Sequence, residues 1–269
     1  MKFLRTGIII GPLYLHYYGA ILVVGILLGT KLASKAGEKR GWKADDYWDM
    51  LPWALVFGVI GARLWHVLIP SESSGITLKF YLEHPLEILK TWNGGLGIPG
   101  GILGGALGIW LFCRRRQFPF PAYVDTIGIG LPLGQAIGRW GNFVNQELYG
   151  LPSDLPWAIH IDPAYRLPQY AEQATYHPLF LYEGLLNLCL CFLLWKLYHR
   201  APQKLKDGSF FLIYLVGYSL IRFLLEFIRV DRGMAGGLNL NQCVMAVVFA
   251  AALTALIIRE KSRGKQRSK

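Results

Sequence analysis

The feature that most constrains this chain is the length and spacing of its apolar runs. Seven segments, roughly 16–34, 48–69, 96–113, 121–140, 179–197, 209–228 and 240–258, are predominantly hydrophobic. Each approaches the roughly 20 residues that a helix needs to cross the hydrocarbon core of a bilayer. At that depth no water satisfies backbone N–H and C=O groups, so helices supply their own partners. The predicted fold is an all-α polytopic membrane protein of about seven transmembrane helices, one integral domain over residues 1–269. With 53% hydrophobic and only 17% charged residues, the chain is too apolar for an ordinary soluble domain of this length.

The basic residues assign an orientation. The net charge is +11, and most of the 28 Lys and Arg residues fall in the loops after segments one, three and five and in the C-terminal tail. These include Lys35, Arg40, Arg114, Arg115, Arg116, Arg200, Lys204, Lys261 and Lys269. The positive-inside rule then puts the N-terminus outside and the tail in the cytoplasm, although Lys2 and Arg5 oppose this locally. In such a chain, excess cation reports topology and anionic headgroups rather than nucleic acid. The outer face carries two connections, about 70–95 and 141–178, and the second predicts a small ordered extracytoplasmic cap. The tail, about 259–269, reads as a basic disordered stretch. The first residues read as a retained amphipathic lead-in to the first helix rather than a cleaved leader. Cys113, Cys189, Cys191 and Cys243 lie in or at apolar runs and suggest neither a disulfide framework nor a metal site.

Polar groups inside the apolar runs point to chemistry, because ionisable residues in spans are expensive. Arg222 and Glu226 are four apart and share a helix face, which Arg229 continues. Arg63 is a further intramembrane cation, with a packing or headgroup role. In the third segment Gly97, Gly101 and Gly105 form one row, and Gly100, Gly104 and Gly108 another; such rows let helix backbones approach closely. The fourth segment contains Gly128, Gly130, Pro132, Gly134 and Gly138 and predicts an irregular helix. It ends in "GRWGNFVNQELYG", Gly138 to Gly150. On a helix Arg139, Asn142 and Asn145 or Gln146 line one side, offering a guanidinium and several amides. That set suits a phosphodiester and its ester carbonyls. A lipid or anion transporter is the competing class, disfavoured by the outer position of the cluster and by the lack of an inverted repeat. An intramembrane protease needs a Ser/His or paired-Asp arrangement within spans, which the sequence does not offer.

The stretch "GRWGNFVNQELYG" resembles the signature of the bacterial prolipoprotein diacylglyceryl transferases. "LHYYG", "GARLWHVL", "GGLGIPGGILGG", "HPLFLYEG" and "IRFLLEFIR" resemble further motifs of that family, so the likeness covers most of the chain. The resemblance implies a cofactor-free transferase of the bacterial inner membrane. It would move a diacylglyceryl group from phosphatidylglycerol to the lipobox cysteine of a prolipoprotein signal peptide, leaving glycerol phosphate. By the same resemblance Arg139 and Arg222 would hold the phosphate, Tyr18 would orient substrate and Glu226 would position Arg222. Asn142, Asn145, Glu147 and Gly150 would shape the headgroup site, with Gly100, Gly101 and His16 also on the lipid. Many members carry a histidine just before the Gly-Gly of the third segment; here Pro99 stands there and transfers no proton.

Overall fold

A computed structural model describes residues 2–70, 76–200 and 205–267. Residues 71–75 of the first connection expected outside, the loop cation Lys204 and the tail residue Lys269 lie outside the described residues.

The chain opens with a three-stranded antiparallel sheet, β1 (Lys2–Leu4), β2 (Gly7–Ile10) and β3 (Leu13–His16), in place of the expected amphipathic lead-in. The β2–β3 connection is two residues, Gly11-Pro12, with Ile10 facing Leu13 across it. Gly11 sits at φ 59°, the left-handed conformation that a tight hairpin requires at its first central position. Helix α1 (Tyr17–Glu38) follows directly.

Seven long helices then coincide with the seven apolar segments. After α1 come α2 (Ala44–Leu68), the short α3 (Leu78–Glu83), α4 (Ile98–Arg116), α5 (Phe120–Asn145), α6 (Leu179–Arg200), α7 (Ser209–Leu225) and α8 (Leu240–Arg267). Among the described residues five of these, α1, α2, α6, α7 and α8, are long and apolar enough to cross a membrane. In α4 and α5 glycine, proline and polar side chains dilute the hydropathy. The tail does not begin at 259 as an unstructured stretch: α8 continues to Arg267. Its start is tied by a two-residue hairpin, β6 (Met234–Ala235) and β7 (Leu238–Asn239).

The Cα packing divides the chain into two compact units, Trp42–Tyr123 and Met1–Gly41 with Val124–Lys269. In the first of these, α2 and α4 touch through glycine. A Cβ on Gly100 would lie 2.2 Å from the Gly61 carbonyl oxygen, and one on Gly104 would lie 2.1 Å from that of Phe57. Gly108 is similarly pressed on Trp53. In the second row Gly97 is pressed on the Trp65 ring, whereas a Cβ on Gly101 or Gly105 would meet nothing closer than 3.6 Å. Gly100 is therefore a packing residue, and Gly101 lies on a roomier face. Arg63 of α2 is consumed by backbone. Its guanidinium donates to the carbonyls of Glu87, Ile88, Gly94 and Gly95 at 2.6–3.0 Å, which pins the loop before α4. Pro99 occupies the first turn of α4, where a missing N–H costs no helical hydrogen bond.

The other unit holds the remaining chemistry. Helix α5 runs unbroken through its glycines and Pro132, against the expectation of an irregular segment. The glycines serve contact: a Cβ on Gly130 would lie 2.2 Å from the Gly29 oxygen of α1, and one on Gly25 would lie 2.9 Å from the Gly134 oxygen. At the opposite end from "GRWGN", the buried carboxylate of Asp125 accepts from the Gly208 and Phe211 N–H groups at 2.8 and 2.9 Å. It thereby caps α7, whose first N–H groups have no partners within the helix. Arg40 pairs with Asp125 at 3.6 Å and with Asp207 at 2.6 Å. These contacts fix α5 and α7 in register. Residues 146–178 form an ordered segment built on β4 (Ile159–His160) and β5 (Thr175–Tyr176), with Tyr149, Ile161, Tyr176 and Val230 at its core. The Tyr149 hydroxyl accepts from the Leu167 N–H and donates to the Tyr165 carbonyl; burial raises its pKa, and it stays neutral.

The two glycine rows make a paired prediction. Gly100→Ala forces α2 and α4 apart and lowers stability by about 2 kcal/mol, an overpacking cost. Gly101→Ala is neutral or stabilising by up to about 1 kcal/mol from helix propensity alone. Thermal unfolding of the two variants in detergent checks the difference.

Candidate active site

The site begins at the C-terminus of α5. The Glu147 N–H reaches back to the Asn142 carbonyl at 3.0 Å and the Gln146 N–H to that of Phe143 at 3.1 Å. This pair of bonds is the Schellman ending, which needs a left-handed residue just past the helix. Gln146 supplies it at φ 53°, and Leu148 follows at φ 55°. Left-handed non-glycine residues cost about 1 kcal/mol or more each. Gln146 recovers part of that cost through its side chain, whose buried oxygen accepts from the Asp162 N–H at 2.9 Å. The reversal folds the Glu147 carboxylate back over the helix end. There it accepts from the Asn142 amide at 2.8 Å and from that of Asn145 at 3.5 Å.

One turn earlier, Arg139 joins this end to two other helices. Its guanidinium donates to the Asn142 side-chain oxygen at 3.0 Å and to Glu183 of α6 at 2.7 Å. The other oxygen of Glu183 accepts from Arg222 of α7 at 2.8 Å. A single carboxylate thus bridges two arginines from different helices. Glu183 is 3% exposed at its side chain, whereas Arg139 and Arg222 retain 21% and 13%. The acid is therefore the more deeply buried member, and the two arginines keep limited exposure. The Nε of Arg139 has no hydrogen-bond partner among the described residues. Tyr218, one turn from Arg222 on α7, lies close to Arg139.

A second carboxylate backs Arg222. Glu226 lies 3.4 Å from it and 3.7 Å from Arg229, and accepts from the Asn241 amide of α8 at 3.2 Å. Arg229 is itself claimed by Asp231 through two bonds of 2.6 and 2.8 Å. That pair holds the Arg229 guanidinium firmly protonated, with its pKa raised chiefly by Asp231. Three arginines thus face Glu183, Glu226 and Asp231, with Glu147 joined to them through Asn142. Burying this many charges is tolerable only when they are paired and hydrogen-bonded, as here.

The structure brings most of the expected residues together. Arg139, Asn142, Asn145 and Glu147 form one hydrogen-bonded chain, and Arg222 and Glu226 join it through Glu183. Tyr18 belongs beside them, because its ring covers Gly141: a Cβ there would lie 2.4 Å from the ring. Gly150 plays a different part. It is buried against His177 and Ile228, and its N–H donates to the His177 carbonyl, so it ties backbone to backbone. His16 ends β3, is exposed, packs its ring at a tilt on Tyr14 with centroids 4.2 Å apart, and among the described residues makes no hydrogen bond to the cluster. Gly100 and Gly101 belong to the other compact unit. Sequence reasoning did not assign Glu183, Tyr218 or Asn241 a role. The signal for Glu183 was available: it is the sole acidic residue of α6, inside the quoted "HPLFLYEG".

Comparison with known proteins covers most of the chain. Residues 6–258 match the family model for prolipoprotein diacylglyceryl transferase. The chain is 38% identical over 257 residues to phosphatidylglycerol–prolipoprotein diacylglyceryl transferase 2 of Streptomyces coelicolor, covering 94% of this chain and 78% of that one. It is 39% identical to the enzyme of that name from Synechococcus elongatus, covering 94% and 86%. For the Streptomyces griseus enzyme the identity is 40%, with 96% and 77% covered.

The bridging carboxylate gives a stability prediction. Glu183→Ala leaves two guanidiniums without their shared acid and costs about 3–5 kcal/mol, the usual penalty for breaking a buried pair from one side. Arg229→Ala removes a cation from the outer edge of the cluster and costs less. Unfolding midpoints in detergent rank the two.

Proposed function

The chain belongs to the prolipoprotein diacylglyceryl transferase family, and from that premise we propose that the Arg139–Glu183–Arg222 cluster is its transfer site. The reaction moves a diacylglyceryl group from phosphatidylglycerol to a prolipoprotein, the first step of lipoprotein maturation. The observation that carries the site assignment is the pair of arginines, drawn from two helices and held side by side by one buried carboxylate.

The chemistry asks for this arrangement. A cysteine thiolate in the lipobox of the signal peptide attacks the lipid carbon that bears the phosphate. The C–S bond forms as the C–O bond breaks, and the electron pair leaves on the phosphate oxygen. The thiol proton ends on glycerol phosphate or in water, so atoms and charge balance. Negative charge grows on the departing phosphate, and donors already fixed in place stabilise it without reorganising. Glu183 performs that fixing for both guanidiniums. Guanidinium suits the task because its planar fork matches phosphate oxygens.

The thiol, of pKa about 8.5, is only partly ionised near neutrality, and neighbouring cations favour the thiolate. Pro99 supplies no base, so the arginine pair's field replaces one in this reading. Tyr18, packed on Gly141, orients the lipid, and Glu226 positions Arg222 while Asn241 holds Glu226. Asn142, Asn145 and Glu147 shape the outer rim.

The proposed topology follows from the same charges that line the loops. All seven long helices cross the bacterial inner membrane, with the N-terminus and residues 146–178 outside and the C-terminus in the cytoplasm. Both substrates lie in the membrane and reach the site from within the bilayer.

A lipobox peptide incubated with phosphatidylglycerol and purified protein in liposomes tests the reading by mass spectrometry. Wild type adds one diacylglyceryl group to the Cys peptide and none to its Ser counterpart. Arg139→Ala lowers the rate at least about a hundredfold, the scale on which a preorganised donor contributes, while the protein stays folded. Transfer at the wild-type rate by folded Arg139→Ala refutes the phosphate assignment. In the same assay Pro99→His stays within about tenfold of wild type, since one proton-transfer group contributes about a hundredfold or more only where the reaction depends on it.

A further inference from the structure

One helical turn from the arginine pair lies a second polar layer that the transfer step does not use. Asn187 follows Glu183 by four residues on α6 and shares its buried face. Gln135 precedes Arg139 by four on α5. The two helices are in contact at this level. A Cβ on Gly184 would lie 3.6 Å from the Ala136 oxygen, and the Cys191 thiol donates to the Ile129 carbonyl at 3.4 Å. Asn187 lies between those two contacts along α6, and Gln135 lies between Ile129 and Ala136 along α5. The Gln135 amide donates to the Tyr214 hydroxyl at 2.8 Å, and Tyr214 stacks on Tyr218 at 5.8 Å.

This layer is unsatisfied in a specific way. Asn187 is 0% exposed, yet among the described residues neither its amide nitrogen nor its oxygen has a hydrogen-bond partner, and the Gln135 oxygen has none either. A buried polar group without a partner costs about 1–3 kcal/mol. An asparagine with both ends unmatched, one turn from Glu183, and a second unmatched amide one turn from Arg139 therefore point to a guest with matching groups. The unmet demand is for two donors, to the two amide oxygens, and one acceptor, for the Asn187 NH2. Two hydroxyl groups meet it, because each donates once and accepts as well. An ester carbonyl only accepts and leaves both oxygens unmatched. An ammonium only donates, leaves the Asn187 NH2 unmatched, and adds a cation beside Arg139 and Arg222.

We propose that Asn187 and Gln135 form a subsite for the two hydroxyl groups of the donor lipid's glycerol headgroup, and so select a diol-bearing phospholipid. The inference rests on the transfer site proposed above. Displacement at a saturated carbon is in line, so the leaving group points away from the attacking sulfur. With the thiol arriving at the outer edge of the arginine pair, the headgroup beyond the phosphate points to the far side, where the amide layer lies. A site built to hydrogen-bond hydroxyls discriminates strongly against an analogue that lacks them.

The experiment compares kcat/KM for phosphatidylglycerol with that for phosphatidylpropanol, which has the same phosphodiester and no hydroxyl, in liposomes with the lipobox peptide. Wild type prefers phosphatidylglycerol by at least about a hundredfold, the lower scale of two lost hydrogen bonds to buried amides. Asn187→Leu cuts that ratio at least about tenfold, mainly by slowing phosphatidylglycerol. Gln135→Leu, on the other helix, shows the same trend and decides the matter if Asn187→Leu does not fold. A folded variant that keeps the wild-type ratio overturns the proposal, as does a wild type that uses both lipids equally. Absence of transfer from either lipid by wild type refutes the transfer-site reading instead.

Discussion

The arrangement of this protein's polar interior depends on one carboxylate. Glu183 is anchored in an apolar helix, is almost fully buried, and divides its two oxygens between Arg139 and Arg222. Two like charges at close quarters in a medium of low dielectric repel strongly, and the shared acid converts that repulsion into a stable pair. It also fixes where α5, α6 and α7 present their polar faces. The surrounding groups extend the same device: Glu226 with Asn241 behind Arg222, and Asn142 with Glu147 beside Arg139. In the proposed mechanism this preorganisation is the catalytic resource, since the protein supplies no proton-transfer group at Pro99.

Such a cluster must be held without water, and the helices achieve it through close backbone approach. Apolar side chains gain little from meeting each other in lipid, so helix association rests on packing and polar contacts. Gly25, Gly29, Gly130 and Gly134 let α1 and α5 touch at their backbones. Asp125 caps the first turn of α7 from α5, and Arg40 steadies Asp125 in turn. The register of α5 against its neighbours, and so the reach of Arg139 to Glu183, follows from contacts far along the helix from the site.

Much of this was legible in the sequence. Apolar runs of near-spanning length located all seven long helices, because their hydropathy has no soluble alternative. The dense polar stretch from Arg139 to Glu147, and the Arg222/Glu226 spacing, marked the cluster, because charge in an apolar helix is costly without purpose. What stayed hidden depends on tertiary contact. The bridging role of Glu183 needs α5 and α7 on either side of α6, which no local pattern encodes. Helix periodicity treats glycine and Pro132 as breakers, whereas α5 runs on through them and Gly130 and Gly134 give it close approach to α1. The two glycine rows of α4 look alike in sequence, and only the position of α2 makes Gly100 a contact and leaves Gly101 room. The tail's charge suggested disorder, yet α8 has enough preceding helix to carry it on to Arg267.

The central claim is that a phosphodiester sits between Arg139 and Arg222 in front of Glu183. An experimental structure of the protein with bound phosphatidylglycerol tests it most directly. The account predicts phosphate oxygens within hydrogen-bonding distance of both guanidiniums, with the Glu183 bridge intact behind them. A phosphate held elsewhere, for example at Arg229 with Asp231 displaced, or a Glu183 that releases either arginine on binding, would contradict it.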